Sequence, residues 1–393
     1  MNRRSFLSGA ALAGLSGCAP KNIARVAAPG LPPYGILPRL MPIRAQVDRI
    51  FRVTVCVRPF RAAGPRLDVE RVGEHTVVHN YGHGGSGWSL SWGSSSIAVE
   101  KAMTAAAGDR NIAIIGCGVL GLTSALLAQR AGARVTIYTK ERPPDVRSAR
   151  ATGSWTPDSR ITLAKSAAAD FPALWEKMAR TSFHMFESYL GMAGNPVEWI
   201  DRYALSDGPP AGPPRGQGTA GSLEFGRYQD RIADITPLGQ ELPPGTHPFP
   251  TKFARRNSSL TFNVAGYSRQ MVTDFLIAGG KIETMEFRTP ADLTRLPEKV
   301  VIHATGYGAR ALWKDETLVP VRGQIAWLIP QPEVTYGLNY RNLNIVSRRD
   351  GIVIQDVGNG EMTGYNEDNE VPDRGAAESA VRAAADLFGR MKW

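Results

Sequence analysis

The stretch Asn111-Ile112-Ala113-Ile114-Ile115-Gly116-Cys117-Gly118-Val119-Leu120-Gly121 decides the fold of this 393-residue chain. An apolar run over 111–115 predicts a buried strand. The Gly-x-Gly-x-x-Gly turn then opens a helix over Val119 to Ala131, capped by Gly132, and Arg134 to Tyr138 reads as the next strand. This is a βαβ unit. Gly116 permits the tight turn, Gly118 lets backbone approach a pyrophosphate, and Gly121 lets the helix pack on the strand. Backbone N–H groups at the helix start, around Val119 and Leu120, are placed to hold phosphates. An acidic ribose partner is expected after the second strand. Glu141 occupies that place, with Lys140 beside it toward phosphate or adenine; the other reading of this pair is two solvated loop charges.

Two further pieces work outward from that unit. Val300-Val301-Ile302-His303-Ala304 is a buried strand running into Thr305-Gly306, a strand end that brings backbone to the edge of a dinucleotide. With the fingerprint it favours FAD over NAD. Upstream, His79-Asn80-Tyr81-Gly82-His83-Gly84-Gly85-Ser86-Gly87 leads into Trp88-Ser89-Leu90-Ser91-Trp92-Gly93. Its glycines free backbone to line a flat ring, and the following helix N-terminus would stabilise negative charge on a reduced flavin. His79 and His83 are acid–base candidates, although loop histidines more often brace backbone.

The remaining chain sets bounds. Charged residues make up 21% and hydrophobic ones 43%, as in a soluble globular protein. The formal charge of +10 is scattered, with no run dense enough for nucleic acid. Cys56 and Cys117 read as core fillers, and no metal-ligand spacing exists. There is no internal repeat. Arg3-Arg4-Ser5-Phe6-Leu7 before a short apolar run, Ala10 to Leu15, suits a bacterial twin-arginine export signal. Leu15-Ser16-Gly17-Cys18 is similar to a lipobox, which would leave Cys18 acylated, in the periplasm or membrane-anchored; the other reading is an ordinary cleaved signal. Strands are expected at 51–58, ended by Pro59, and at 77–79. Helices are expected at 94–104, 171–192, 267–278 and 375–391, with long surface loops over 206–250.

The glycine loop, His79 to Gly87, resembles the D-amino-acid oxidase family almost without a break. Arg58-Pro59-Phe60-Arg61 is similar to that family's Arg-Pro-x-Arg strand end. The resemblance continues through Tyr138 to Pro143, Asp145-Val146 to Trp155, Ala304-Thr305-Gly306, and Val321 to Ile325. It implies FAD held by the fingerprint, by Arg147, Ser148, Thr152, Gly153 and Ser154, by Thr305 and Gly306, and by Gly84, Gly85, Ser86, Gly87, Trp88 and Ser89. It implies Arg58 as a guanidinium fork on the substrate α-carboxylate, Gly85 carbonyl as acceptor of the amine hydrogen, and Tyr340 or Tyr336 as a second carboxylate contact. Aligning the strand instead pairs Tyr340 with Asn344, which leaves one lid tyrosine missing.

The order departs from the family, in which Arg58 and the glycine loop would follow the fingerprint. Circular permutation explains it; a strand exchanged between protomers is the alternative. The expected fold is α/β, a Rossmann-like FAD-binding domain with a mixed-sheet α+β substrate domain in permuted order. The expected divisions are a signal (1–18), a tether (19–47), a permuted segment (48–103) and a linker (104–110). The FAD-binding parts are 111–160 and 253–318, and the substrate parts 161–252 and 319–393. The implied activity is oxidative deamination of D-amino acids, with hydride passing from Cα to flavin N5 and O2 giving H2O2. An amino-acid or amine dehydrogenase reducing a quinone or carrier, and a non-catalytic flavin-binding protein, are the other readings.

Overall fold

Two sheets share one cleft in the computed structural model, which describes residues 39–209, 223–358 and 360–392. The signal residues 1–18, Cys18 and most of the expected tether lie outside the described residues. The strands are β1 (Ile50–Arg61), β2 (Val69–Val72), β3 (His75–His79), β4 (Asn111–Ile115), β5 (Arg134–Thr139), β6 (Val197–Ser206) and β7 (Gln240–Leu242). They continue as β8 (Phe253–Phe262), β9 (Lys281–Thr284), β10 (Val300–His303), β11 (Leu318–Leu328), β12 (Tyr336–Tyr340), β13 (Leu343–Arg348) and β14 (Gly351–Asp356). The helices are α1 (Ser91–Ala106), α2 (Val119–Arg130), α3 (Phe171–Glu187), α4 (Val264–Ile277), a single turn α5 (Ala309–Leu312) and α6 (Arg374–Gly389).

The six-stranded sheet runs β2-β3-β10-β4-β5-β9 and is parallel except for the antiparallel edge strand β2. Both its faces are covered, which is why its strands read as unbroken apolar runs. Ile112, Ile114 and Ile302 pack with the helical layer that holds Trp92, Leu122, Trp175 and Met271, whereas Ala113, Ile115 and Val301 pack with Leu293 and Leu296. The loops bearing phosphate- and ring-binding motifs all leave the C-terminal ends of these parallel strands, the place where open α/β sheets put ligands.

The eight-stranded sheet runs β1-β11-β14-β13-β12-β6-β8-β7. One face packs on α6: Tyr203, Leu338, Tyr340, Ile345 and Ile354 meet Ala380, Val381, Ala384 and Leu387. The other face looks into the cleft. Alternation along each strand therefore divides a polar row from an apolar one.

Several boundaries differ from the sequence expectation. β1 runs through Pro59 to Arg61 because it is an edge strand whose ladder partner is β11, so the missing N–H of Pro59 breaks no second ladder. Leu40, Ile43 and Ala45 are buried against α6, so the tether gives way to fold before residue 47. β8 belongs to the eight-stranded sheet, so a dinucleotide part cannot begin at 253. α1 starts at Ser91, three residues early: Ser91, Trp92 and Gly93 are all buried and give no amphipathic signal. It also ends at Ala106, so the connection to β4 is only Ala107 to Arg110.

Candidate active site

A cavity of about 1330 Å³ is lined by both sheets, and it collects most of the residues singled out above. At its dinucleotide end β4 stops at Ile115 and Gly116 turns with φ +108°; a Cβ there would stand 2.6 Å from the Ala304 carbonyl oxygen. Gly121 lies outside the cavity lining, one turn into α2, where a Cβ would meet the Gly116 oxygen at 1.9 Å. It brings helix onto strand and does not face the cavity. Gly116, Gly118, Val119 and Leu120 line the cavity, and the Ser148 hydroxyl accepts from the Val119 N–H at 3.1 Å. Exposed Lys140 and Glu141 border the same cavity, with the Thr139 hydroxyl donating to the Glu141 carbonyl at 2.6 Å.

The loops after β3 and β5 are sewn to each other. Gly85 N–H and the Ser86 hydroxyl both donate to the Ser159 carbonyl, at 2.9 and 3.0 Å. Trp88 Nε1 donates to the Ser148 carbonyl at 2.8 Å, and Thr156 N–H donates to the Ser89 hydroxyl at 2.8 Å. Gly84, Gly85, Gly87 and Trp88 line the cavity, as do Arg147, Ser148, Thr152, Gly153, Ser154, Thr305 and Gly306. Ser86 and Ser89 do not; both are buried pins between loops, a correction to their expected cofactor contact.

The two loop histidines have different environments. His79 is locked outside the cavity lining, Nε2 at 2.9 Å from Glu70 and Nδ1 at 3.0 Å from His303. His83 lines the cavity, fully buried, with neither ring nitrogen partnered. Burial alone pulls its pKa down to about 3, so the ring is neutral at physiological pH. A buried neutral imidazole keeps one N–H donor and one acceptor to offer a bound group.

Arg58 lines the opposite wall. Its guanidinium lies over Gly323 of β11, where a Cβ would come within 2.3 Å of Nη2. Among the described residues its one hydrogen bond is a long one, 3.5 Å, to the Arg322 carbonyl, and no described carboxylate pairs with it. Burial lowers its pKa. Arg160 stands close enough that the two cations repel, and its pKa falls to about 10, from burial first and from Arg58 second. Arg160 itself donates to the carbonyls of Gly360 and Glu361. Cys56 also borders the cavity and is not core filling; burial raises its thiol pKa.

The lid tyrosines are a clear correction. Tyr336 donates to the Met41 carbonyl at 2.8 Å, and Tyr340 to Asp207 at 3.1 Å; neither lines the cavity. Both share the α6 face with Leu338, and the residue that β12 turns to the cavity is Asn339. Asn344 and Arg202 on the adjacent strands β13 and β6, and Asn257 and Gln355 one strand further out, join it. Arg160, Arg202 and Asn339 were missed by sequence reasoning. Only the strand register identifies the last two, whereas Arg160 directly follows the loop Gly153 to Ser159.

A dinucleotide-binding parallel sheet, a second mixed sheet and a cleft between them define a nucleotide-cofactor oxidoreductase fold. The family model described as FAD dependent oxidoreductase matches residues 111–392, and the chain belongs to this family. A D-amino-acid oxidase of Streptomyces coelicolor is 28% identical over 223 residues, covering 55% of this chain. The chain spans 58% of that relative's length. A D-amino acid oxidase of Dugesia ryukyuensis is 24% identical over 299 residues, 72% of this chain and 79% of that protein. The iminodiacetate oxidase structure from Chelativorans sp. BNC1 has a TM-score of 0.49 at 17% identity, covering 71% of this chain and 79% of that one. The cofactor of the family is FAD. The residues present fit it: the turn at Gly116 leaves no room for a side chain, and the unpartnered His83 nitrogens face the same cavity.

Proposed function

We propose that this protein oxidises D-amino acids to imino acids, which water hydrolyses to 2-oxo acids, with O2 as acceptor and H2O2 as product. The observation that carries the reading is Arg58: a guanidinium without a protein counter-charge, lining the cavity that also holds the fingerprint and the glycine loop. A half-buried cation without a partner is costly, and a ligand carboxylate accepting two parallel bonds relieves that cost. Bound FAD supplies the acceptor for the two electrons and the hydrogen that leave the substrate Cα. Arg58 fixes the carboxylate end, the Gly85 carbonyl accepts from the amine, and neutral His83 adds no competing charge. Neither Tyr336 nor Tyr340 reaches the cavity, and on that sheet Asn339 and Asn344 face the substrate in their place. Positioning reactants this way is worth about 7–11 kcal/mol of a barrier. The D-configuration and O2 as acceptor are supported by the relatives named as D-amino-acid oxidases.

The chain order is read as a circular permutation. In support, Leu387 and Phe388 of α6 share one core with Leu40 and Ile43 just before β1, and Ala107 to Arg110 alone joins α1 to β4. The segment ahead of residue 111 lies outside the family match, yet its β1 and β3 complete both sheets. Twin-arginine export with a lipid on Cys18 completes the proposal; mass spectrometry of the mature protein tests it. For the activity, anaerobic mixing of the yellow protein with D- and L-amino acids should bleach the flavin with D-enantiomers only, and air should then release peroxide. Dye reduction without peroxide would favour the dehydrogenase instead, and no bleaching by any amino acid would refute both.

A further inference from the structure

Arg202 is another cation of the cleft with no ion-pair partner among the described residues. It projects from β6 into the cavity, where its guanidinium donates to the Asn344 side-chain oxygen at 2.7 Å and the Ser154 hydroxyl at 3.2 Å. A third, long contact reaches Asn339 at 3.5 Å. All three partners are neutral. Burial pulls its pKa to about 10, and no carboxylate acts against that shift. Arg348, the buried arginine of β13 two strands away, contrasts with it: its charge is met by Asp350 and by the Ala151 and Thr152 carbonyls. Neutral amides and a hydroxyl orient Arg202 without neutralising it, which is the arrangement of a pre-set anion site.

Its place relative to Arg58 narrows the ligand. Arg58 lies against Gly323 of β11, and Arg202 reaches Asn344 of β13. Those two strands flank β14, so the cations stand on the order of 10 Å apart along the sheet. A single carboxylate cannot touch both. An amino acid with a second acidic group on its side chain can.

We infer that Arg202 receives the side-chain carboxylate of an amino dicarboxylic acid whose α-carboxylate is held by Arg58. The inference rests on the amino-acid-oxidising reading above and adds the substrate class. Charge pairing favours it: two cations without a described carboxylate partner meet two carboxylates, whereas a neutral side chain would leave the Arg202 charge desolvated and uncompensated.

The test compares wild type, Arg202→Gln and Arg202→Lys, each first checked for bound flavin and an unchanged circular dichroism spectrum. Wild type should oxidise D-aspartate or D-glutamate with higher kcat/KM than D-alanine or D-methionine. Arg202→Gln should lower kcat/KM for the acidic substrates by about 30-fold or more, while neutral substrates change little; Arg202→Lys should fall between. Calorimetric titration with glutarate, which carries no amine and cannot be oxidised, gives a readout free of turnover and should show binding that Arg202→Gln abolishes. An unchanged acidic-to-neutral ratio together with unchanged glutarate binding would overturn the inference. If no amino acid reduces the flavin but glutarate still binds through Arg202, the oxidase reading falls and the anion site stands. If neutral amino acids are oxidised best and Arg202→Gln has no effect, the oxidase reading stands and this site falls.

Discussion

Replacing Arg58 by Met should separate activity from stability. The side chain makes one described hydrogen bond, 3.5 Å to a carbonyl, and pairs with no described acid. Its loss therefore orphans no protein charge, and the usual penalty for breaking a buried ion pair does not arise. Met fills similar volume beside Gly323, so the melting temperature of the flavin-loaded protein should stay within about 3 °C of wild type or rise. Catalysis should move the other way. Truncating one partner of a desolvated charge pair costs about 2–5 kcal/mol. Arg58 is half-buried in a cavity open to solvent, so the lower part of that range applies, about 3 kcal/mol or roughly 150-fold in kcat/KM. Arg58→Lys keeps the charge but loses the fork, and about a tenfold loss is expected. Steady-state peroxide release and a thermal melt on the same preparations read both quantities. A stability loss of several kcal/mol with unchanged kcat/KM would make Arg58 structural and refute the reasoning.

Other outcomes follow from the same geometry. Gly323→Ala puts a Cβ within 2.3 Å of the Arg58 guanidinium, so KM for amino acids should rise about tenfold or more while flavin content holds; absorbance at the flavin band and initial rates check it. Gly121→Ala drives a Cβ to 1.9 Å from the Gly116 carbonyl, so helix and strand must part, and flavin should be lost with about 1–3 kcal/mol of stability; purified protein that stays yellow would contradict this. Tyr340→Phe should leave kcat/KM within about twofold, because the hydroxyl bonds Asp207 on the far face of the sheet; a tenfold KM increase would restore the lid role. For acid stability, the folded pKa of His83 lies near 3, below its unfolded value of about 6.5. The unfolded chain therefore binds the extra proton first, and stability present above pH 6.5 is lost as pH falls toward 3. His83→Asn should reduce the slope of unfolding free energy between pH 6 and 4 by about 1.4 kcal/mol per pH unit, measured by denaturant titration.

What the sequence disclosed were the features written in local chemistry. The strand into Gly116, the Ala304-Thr305-Gly306 strand end and the glycine loop carry their geometry in residue types, and all three border one cavity. Arg58 was legible from its neighbours Pro59 and Arg61. The eight-stranded sheet was not, because its strands are half polar and its pairings join residues far apart, such as Arg58 with Val321 and Arg202 with Asn257. Tyr336 and Tyr340 show why. Being four apart they must share one face, but nothing local says which face meets α6, and a one-residue slip would exchange them for Gly337 and Asn339. Arg202 is invisible for the same reason: Arg255 and Arg256, on the neighbouring strand, look no different in the sequence and lie outside the cavity lining.

The most direct measurement titrates flavin-loaded protein with 2-methylalanine, which offers a carboxylate and an amine but no hydrogen on Cα. Wild type should show a saturable change in the flavin absorption band without reduction, and Arg58→Met should show none at the same concentrations. An identical change in both proteins would mean that the carboxylate is held elsewhere and that Arg58 does not bind substrate.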